Sequence, residues 1–249
     1  MIEEKNLRHE DHGVVNSYAA ILFDLDDTLL DRRRTVERYL AGHAARARLS
    51  SDVASAYRAR FHEIDENGHA SRASVFDRLG AEFPTVGSAD ALLKDFLEYG
   101  FATCDWVEGA THLLAWCRSS GLRSGIITNG SSAMQRTKLR ALDLAALVDV
   151  ILVSEEEGVS KPASEIFHRA ASRLGVRPDE CVFIGDNPMA DVDGSRRAGM
   201  MDVWIRRGFE WPSGLAPASR SIATLADVPR LLELSANSWS PNGDARTAP

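Results

Sequence analysis

The sequence predicts an α/β protein: a Rossmann-like, three-layer core of parallel sheet between helices, with a helical domain inserted after the first strand. Two observations carry this. Short apolar runs recur along the chain, and helical patterns fill the spaces between the later ones. Between residues 33 and 104 the alternation stops, and amphipathic segments follow one another without a convincing strand. Strand–helix alternation implies parallel pairing, with crossover helices covering both faces of the sheet.

The runs are 19–23 (AAILF), 124–128 (SGIIT), 150–153 (VILV), 181–184 (CVFI) and 203–205 (VWI). Each is apolar on consecutive positions, as a strand buried on both faces would be. Helices are expected over 110–119, 132–142 and 162–174, the last opening on Pro162, which suits a first helical turn. Within the gap the helical segments are 36–49, 53–64, 74–79 and 89–99. A single crossover of that length would be unusual, so an insert is the natural reading. The expected boundaries are a core of 19–32 and 105–234 and an insert of 33–104. Segments 1–18 and 235–249, polar and in the second case rich in small residues and proline, are expected to be poorly ordered ends.

With 44% hydrophobic and 26% charged residues, the 249-residue chain has an ordinary globular composition and needs no covalent staples. A net charge of −7 argues against nucleic acid as the main partner. An anionic substrate must then meet a local positive site: a metal, a lysine or backbone amides. Cys104, Cys117 and Cys181 are odd in number and lack CxxC spacing. That disfavours a disulfide framework or zinc site and fits a reducing cytoplasmic setting. No charged-then-apolar leader pattern and no apolar run of roughly 18 residues is present, so neither secretion nor a membrane is expected. A monomer or weak homodimer is the expected state.

The first run ends in Asp24-Leu25-Asp26-Asp27-Thr28. Side chains alternate along a strand, so Asp24 and Asp26 lean to one side. Paired carboxylates repel unless a cation intervenes, and hard oxygen ligands suit magnesium. The second run ends in Thr128-Asn129-Gly130-Ser131 before a helix, where a hydroxyl, an amide and backbone N–H groups can seat a phosphate. Lys161 follows the third run and can neutralise an acidic cluster. The fourth run ends in Gly185-Asp186-Asn187-Pro188, with Asn187 placed to cap a helix begun by Pro188, and Asp191 and Asp193 just beyond. Taken singly, each pattern also occurs as plain turn or cap chemistry. Together they fall at the carboxyl ends of parallel strands, the edge where open α/β sheets bind ligands.

With these motifs in order, the chain resembles the haloacid dehalogenase superfamily over roughly residues 19–206: DLDDT at 24–28, ITNG at 127–130, Lys161 in SKP and GDNPMAD at 185–191. The resemblance implies that the insert is a helical cap. It implies Asp24 as nucleophile, Asp26 as general acid and base, and Thr128 and Lys161 as phosphoryl ligands, with Asn129 beside them. It further implies magnesium held by the Asp24 carboxylate, the Asp26 backbone carbonyl and Asp186, supported by Asp191. Members that remove halide lack an aspartate matching Asp26, because halide departs without a proton. Its presence here points to an alkoxide leaving group, hence to a phosphatase acting on a small phosphorylated metabolite. A phosphomutase, or a non-catalytic binding module on the same fold, are the other readings. Substrate choice is expected to lie in the cap, with His69 and Arg72 as candidate contacts. Arg32, Arg33 and Arg34 near its first linker are either anion-attracting or merely solvated. The loop Phe209-Glu210-Trp211-Pro212 either roofs the site or packs.

Overall fold

The computed structural model describes residues 18–68, 70–207 and 210–236. β1 (Ala20–Phe23) is buried at every position, as its unbroken apolar run requires. It pairs on one side with β2 (Arg123–Thr128) and on the other with β4 (Cys181–Gly185). With β3 (Val150–Val153), β5 (Met201–Ile205) and β6 (Arg220–Ile222), these strands form one parallel sheet in the order β3-β2-β1-β4-β5-β6. The three-residue edge strand β6 is not signalled by the sequence. Two of its residues are exposed, so it contains no apolar run to find.

Alternation along the strands divides the core in two. Ile21, Phe23, Ile126, Val182 and Ile184 face one side, with residues of α5 (Ala110–Ser119), α6 (Ser132–Ala141) and α10 (Val228–Ala236). Ala20, Leu22, Ile127 and Phe183 face the other, under α8 (Ser164–Leu174) and beside α9 (Gly194–Arg197). A four-residue helix, α7 (Ser154–Glu157), follows β3. Each large apolar side chain buried in this way contributes about 1.5–3 kcal/mol.

Between β1 and α5 lie α1 (Arg32–Arg46), α2 (Ser51–Asp65), α3 (Arg72–Glu82) and α4 (Ala89–Tyr99). Each begins on a side-chain cap: Asp31, Ser50, Ser71 and Ser88 accept from the amides of Arg34, Val53, Ser74 and Ala91. The first three helices start two to four residues before the sequence reading, because their opening turns are polar and periodicity does not mark them. They enclose a third apolar cluster built on Tyr57, Phe61, Phe76 and Phe96, to which Met134 of α6 also packs. No helix among the described residues is long and apolar enough to cross a membrane.

One element begins later than expected. Pro162 lies before α8, after a cis Lys161–Pro162 bond, and not in its first turn. The cause is Asn129, whose side chain accepts from the Lys161 amide at 2.9 Å and donates to the Lys161 carbonyl at 2.8 Å. Both backbone groups of Lys161 are thereby engaged outside any helix.

Candidate active site

The carboxyl ends of β1, β2 and β4 lie side by side, and the residues just past them converge. Asp24 continues β1 by one ladder bond to the Ile184 carbonyl at 2.9 Å. Its carboxylate accepts from Lys161 Nζ at 2.5 Å. The Lys161 ammonium also faces Asp191 Oδ1 at 2.7 Å. Asp24, Asp186 and Asp191 each place a carboxylate oxygen within 4.8 Å of the others, all three buried. Asp191 is fixed by the Asn187 amide, which donates to its Oδ2 at 2.9 Å, and by Gly185, where a Cβ would overlap its carboxyl. Asn187 caps the turn Pro188–Asp193 by accepting from the Met189 and Ala190 amides, as the sequence suggested. Asp193 pairs with Arg197 at 2.9 Å.

The electrostatics follow from this crowding. Burial, only partly offset by Lys161, pushes the Asp24 carboxyl up to about 7. Burial and repulsion from Asp24, Asp191 and Asp27 push Asp186 up to about 9. Burial would lower Lys161, but Asp191 and Asp24 outweigh it and hold the ammonium above its ordinary value. At this end of the site three carboxylates, those of Asp24, Asp186 and Asp191, gather about one cation.

Asp26 is placed differently. Its carboxylate takes two contacts from Lys138 Nζ, at 2.7 and 2.9 Å, and one from Gln135 Nε2 at 3.2 Å. Burial would raise its pKa, but Lys138 and Arg32 more than compensate and hold it below the usual carboxylate range. Gln135 also donates to the Thr128 hydroxyl, so one amide ties the ends of β1 and β2 together. Lys138 itself is 5% exposed and lies 4.5 Å from the Phe101 ring centroid.

Sequence reasoning missed Gln135 and Lys138. The signal was present: they sit three residues apart on the buried face of α6, beside Leu139, where an apolar pair would be expected. Asn129, expected beside the phosphate, lines the cavity, and its side-chain oxygen and nitrogen also engage the Lys161 backbone, so the side chain positions the lysine. The backbone seat at the start of α6 is also partly occupied. The Gly130 amide donates to Ser154 Oγ at 3.0 Å and the Ser132 amide to Glu155 at 2.8 Å.

Asp24, Asp26, Thr128, Asn129, Lys161, Asp186 and Asp191 line one cavity of about 360 Å³, to which the segment between β1 and α5 contributes Asn67, Gly68, Ala70 and Arg72. His69 and Phe209 lie outside the described residues. Arg33 and Arg34 are exposed, whereas Arg32 is buried and lines the same cavity. Trp211 stacks edge-on against Trp204 at 4.9 Å, and Trp204 donates to the Asp186 carbonyl at 2.9 Å. That makes Trp211 a packing residue of the loop after β5.

Residues 18–199 match the model of the haloacid dehalogenase-like hydrolases. The chain is 34% identical over 198 residues to a glyceraldehyde 3-phosphate phosphatase of Methanopyrus kandleri, spanning 76% of this chain and 84% of that one. It is 41% identical over 119 residues to a phosphoserine phosphatase of Thermus thermophilus, about half of each chain (48% and 48%). Among solved structures, YfnB of Bacillus subtilis, bound to magnesium, superimposes with a TM-score of 0.71 at 24% identity, covering 86% of this chain and 98% of that one. A haloacid dehalogenase-type phosphatase of Thermococcus onnurineus does so with a TM-score of 0.58 at 28% identity, covering 86% and 97%. With its six parallel strands and its acidic cluster at their carboxyl ends, the chain belongs to the haloacid dehalogenase-like hydrolase family.

Proposed function

We propose that this protein is a magnesium-dependent phosphatase that hydrolyses a small phosphomonoester through an aspartyl-phosphate on Asp24. The observation that carries the reading is the convergence of Asp24, Asp26, Thr128, Lys161 and Asp186 on a single cavity of about 360 Å³, a size suited to a small metabolite. Relatives that are themselves phosphatases support it.

The donor set fits magnesium. Three carboxylates against one ammonium leave uncompensated negative charge, and the protons that Asp24 and Asp186 retain without a metal are what a divalent cation would displace. All side-chain donors are hard oxygens. Asp24, Asp186 and the Asp26 carbonyl would hold the ion, with Asp191 in support. Once bound, it supplies neutralisation of phosphoryl oxygen charge.

The chain's own residues account for the rest. The Asp24 carboxylate attacks phosphorus, and the bond from phosphorus to the alcohol oxygen breaks while Asp26 gives that oxygen its proton. Asp26 then takes a proton from water, whose oxygen attacks the phosphorus of phospho-Asp24, freeing Asp24 and inorganic phosphate. Lys161 and the Thr128 hydroxyl hold the phosphoryl oxygens. Lys138 and Arg32 keep Asp26 ionised at rest, the state needed in the second step. A phosphate dianion arriving beside it raises its proton affinity for the first. Residues 33–104 act as a cap whose closure excludes water.

The test is release of inorganic phosphate from p-nitrophenyl phosphate, with and without magnesium, followed by a panel of phosphorylated metabolites. No release with magnesium present, or undiminished release by Asp24→Asn, overturns the reading.

A further inference from the structure

The cavity is electrically polarised. Its sheet end is acidic, as described. At its helical end Arg32, Arg72 and Lys138 stand with Asp65, Asp26 and Asp27; Lys138 is committed to Asp26, and Asp27 accepts from the Arg32 backbone amide at 3.1 Å.

Arg32, Arg72 and Asp65 form a fixed unit. Asp65, 1% exposed, gives one oxygen to each arginine: Oδ2 to Arg32 Nη2 at 2.7 Å and Oδ1 to Arg72 Nη1 at 2.5 Å. Arg72 also donates to the Ala70 carbonyl at 2.8 Å and lies 5.7 Å from the Phe96 ring centroid. Arg32, 6% exposed, is covered by Gly68, where a Cβ would come within 2.7 Å of its Nε. Two guanidinium groups thus share one carboxylate, and both line the cavity that Asp24 lines. A guanidinium fork is built to receive a carboxylate.

We infer that Arg32 and Arg72, held by Asp65, form a subsite for a carboxylate on the substrate, so that the preferred substrates are short phosphomonoesters carrying a carboxyl group away from the phosphate. This rests on the phosphatase reading and narrows it. The phosphate occupies the acidic end, where a metal and Lys161 receive it. The carboxylate occupies the end that the two arginines line, and the size of the cavity sets a short spacer between the two.

The experiment uses matched pairs in the full chain: 3-phosphoglycerate against glycerol 3-phosphate, and 2-phosphoglycolate against 2-hydroxyethyl phosphate. The parent protein should prefer the carboxylated member of at least one pair by tenfold or more in kcat/KM. Arg72→Gln should reduce that ratio to near one, Arg72→Lys should retain part of it, and Asp65→Asn should lower it by loosening both arginines. If the three residues only tie α1, α2 and α3 together, the variants will melt earlier while the ratio stays put, which overturns the subsite. Equal or inverse preference in the parent also overturns it. Hydrolysis of p-nitrophenyl phosphate by the parent reports the phosphatase reading separately. Should that fail, thermal stabilisation by 3-phosphoglycerate over glycerol 3-phosphate, lost in Arg72→Gln, still decides the carboxylate site.

Discussion

Replacing Asp26 with asparagine tests two duties of one side chain. The shapes match, but the charge does not. In the parent, the carboxylate takes two contacts from Lys138 and one from Gln135. Asparagine cannot accept them all and leaves the Lys138 ammonium without its partner. Breaking a fully buried ion pair costs about 3–5 kcal/mol. Here the Asp26 side chain is 25% exposed and Lys138 keeps the Phe101 ring, so a loss of about 2 kcal/mol is expected. For a chain of this size that lowers Tm by about 4–8 °C. Adding Lys138→Met should recover much of the loss, because the orphaned charge goes with it. Kinetically, alkyl phosphates should react very slowly for want of an acid, whereas p-nitrophenolate departs without a proton. The variant should release a burst of about one p-nitrophenol per enzyme and stall as phospho-Asp24. Asp24→Asn should show no burst. Rapid-mixing absorbance with acid-quenched intact mass reads both results. Turnover of alkyl phosphates at the parent rate by Asp26→Asn would refute the acid–base assignment.

Chelation should abolish turnover, magnesium should restore it, and calcium should inhibit because its larger shell misplaces the attacking oxygen; steady-state assays after dialysis check this, and full activity after exhaustive chelation counts against the site. In the metal-free chain, Asp24 and Asp186 hold protons more tightly folded than unfolded, since their values near 7 and 9 lie above 3.8. Stability should therefore be greatest at mildly acid pH and fall as pH rises from about 4 towards 9, with magnesium giving its largest rise in Tm at the alkaline end; a flat melting profile would contradict this. Gly185→Ala drives a methyl into the Asp191 carboxyl and should cost about 1–3 kcal/mol by overpacking, together with weaker magnesium dependence, read by melting and metal titration. Asn129→Ala removes two hydrogen bonds on the Lys161 backbone; at about 0.5–1.5 kcal/mol each, kcat/KM should fall about tenfold, and an unchanged value would mean that Lys161 needs no such support.

The sheet was legible because its central strands are buried on both faces and therefore apolar at consecutive positions. β6 was not, since an edge strand with two exposed residues carries no such mark. Asp24 and Asp186 could be found because each stands at the end of an apolar run, with Asp191 a few residues past the second. Lys138 and Gln135 act from the middle of a helix, where a polar residue facing inward looks like one facing water until the packing is known. The same limit hid the pairing of Arg32 with Asp65, 33 positions away. Asn129 was located at its strand end, but the bonds its two polar side-chain atoms make to the backbone of a residue 32 positions further on were not legible.

The helical layer and the sheet keep separate apolar cores, bridged mainly by Cys104 and Met134. Substitutions deep in one should therefore combine almost independently with substitutions deep in the other. A lineage carrying such a protein can try new walls for the cavity while the machinery that breaks the phosphate ester stays fixed. A laboratory can do the same, drawing libraries from the helical wall alone and expecting the losses to be of preference before they are of chemistry.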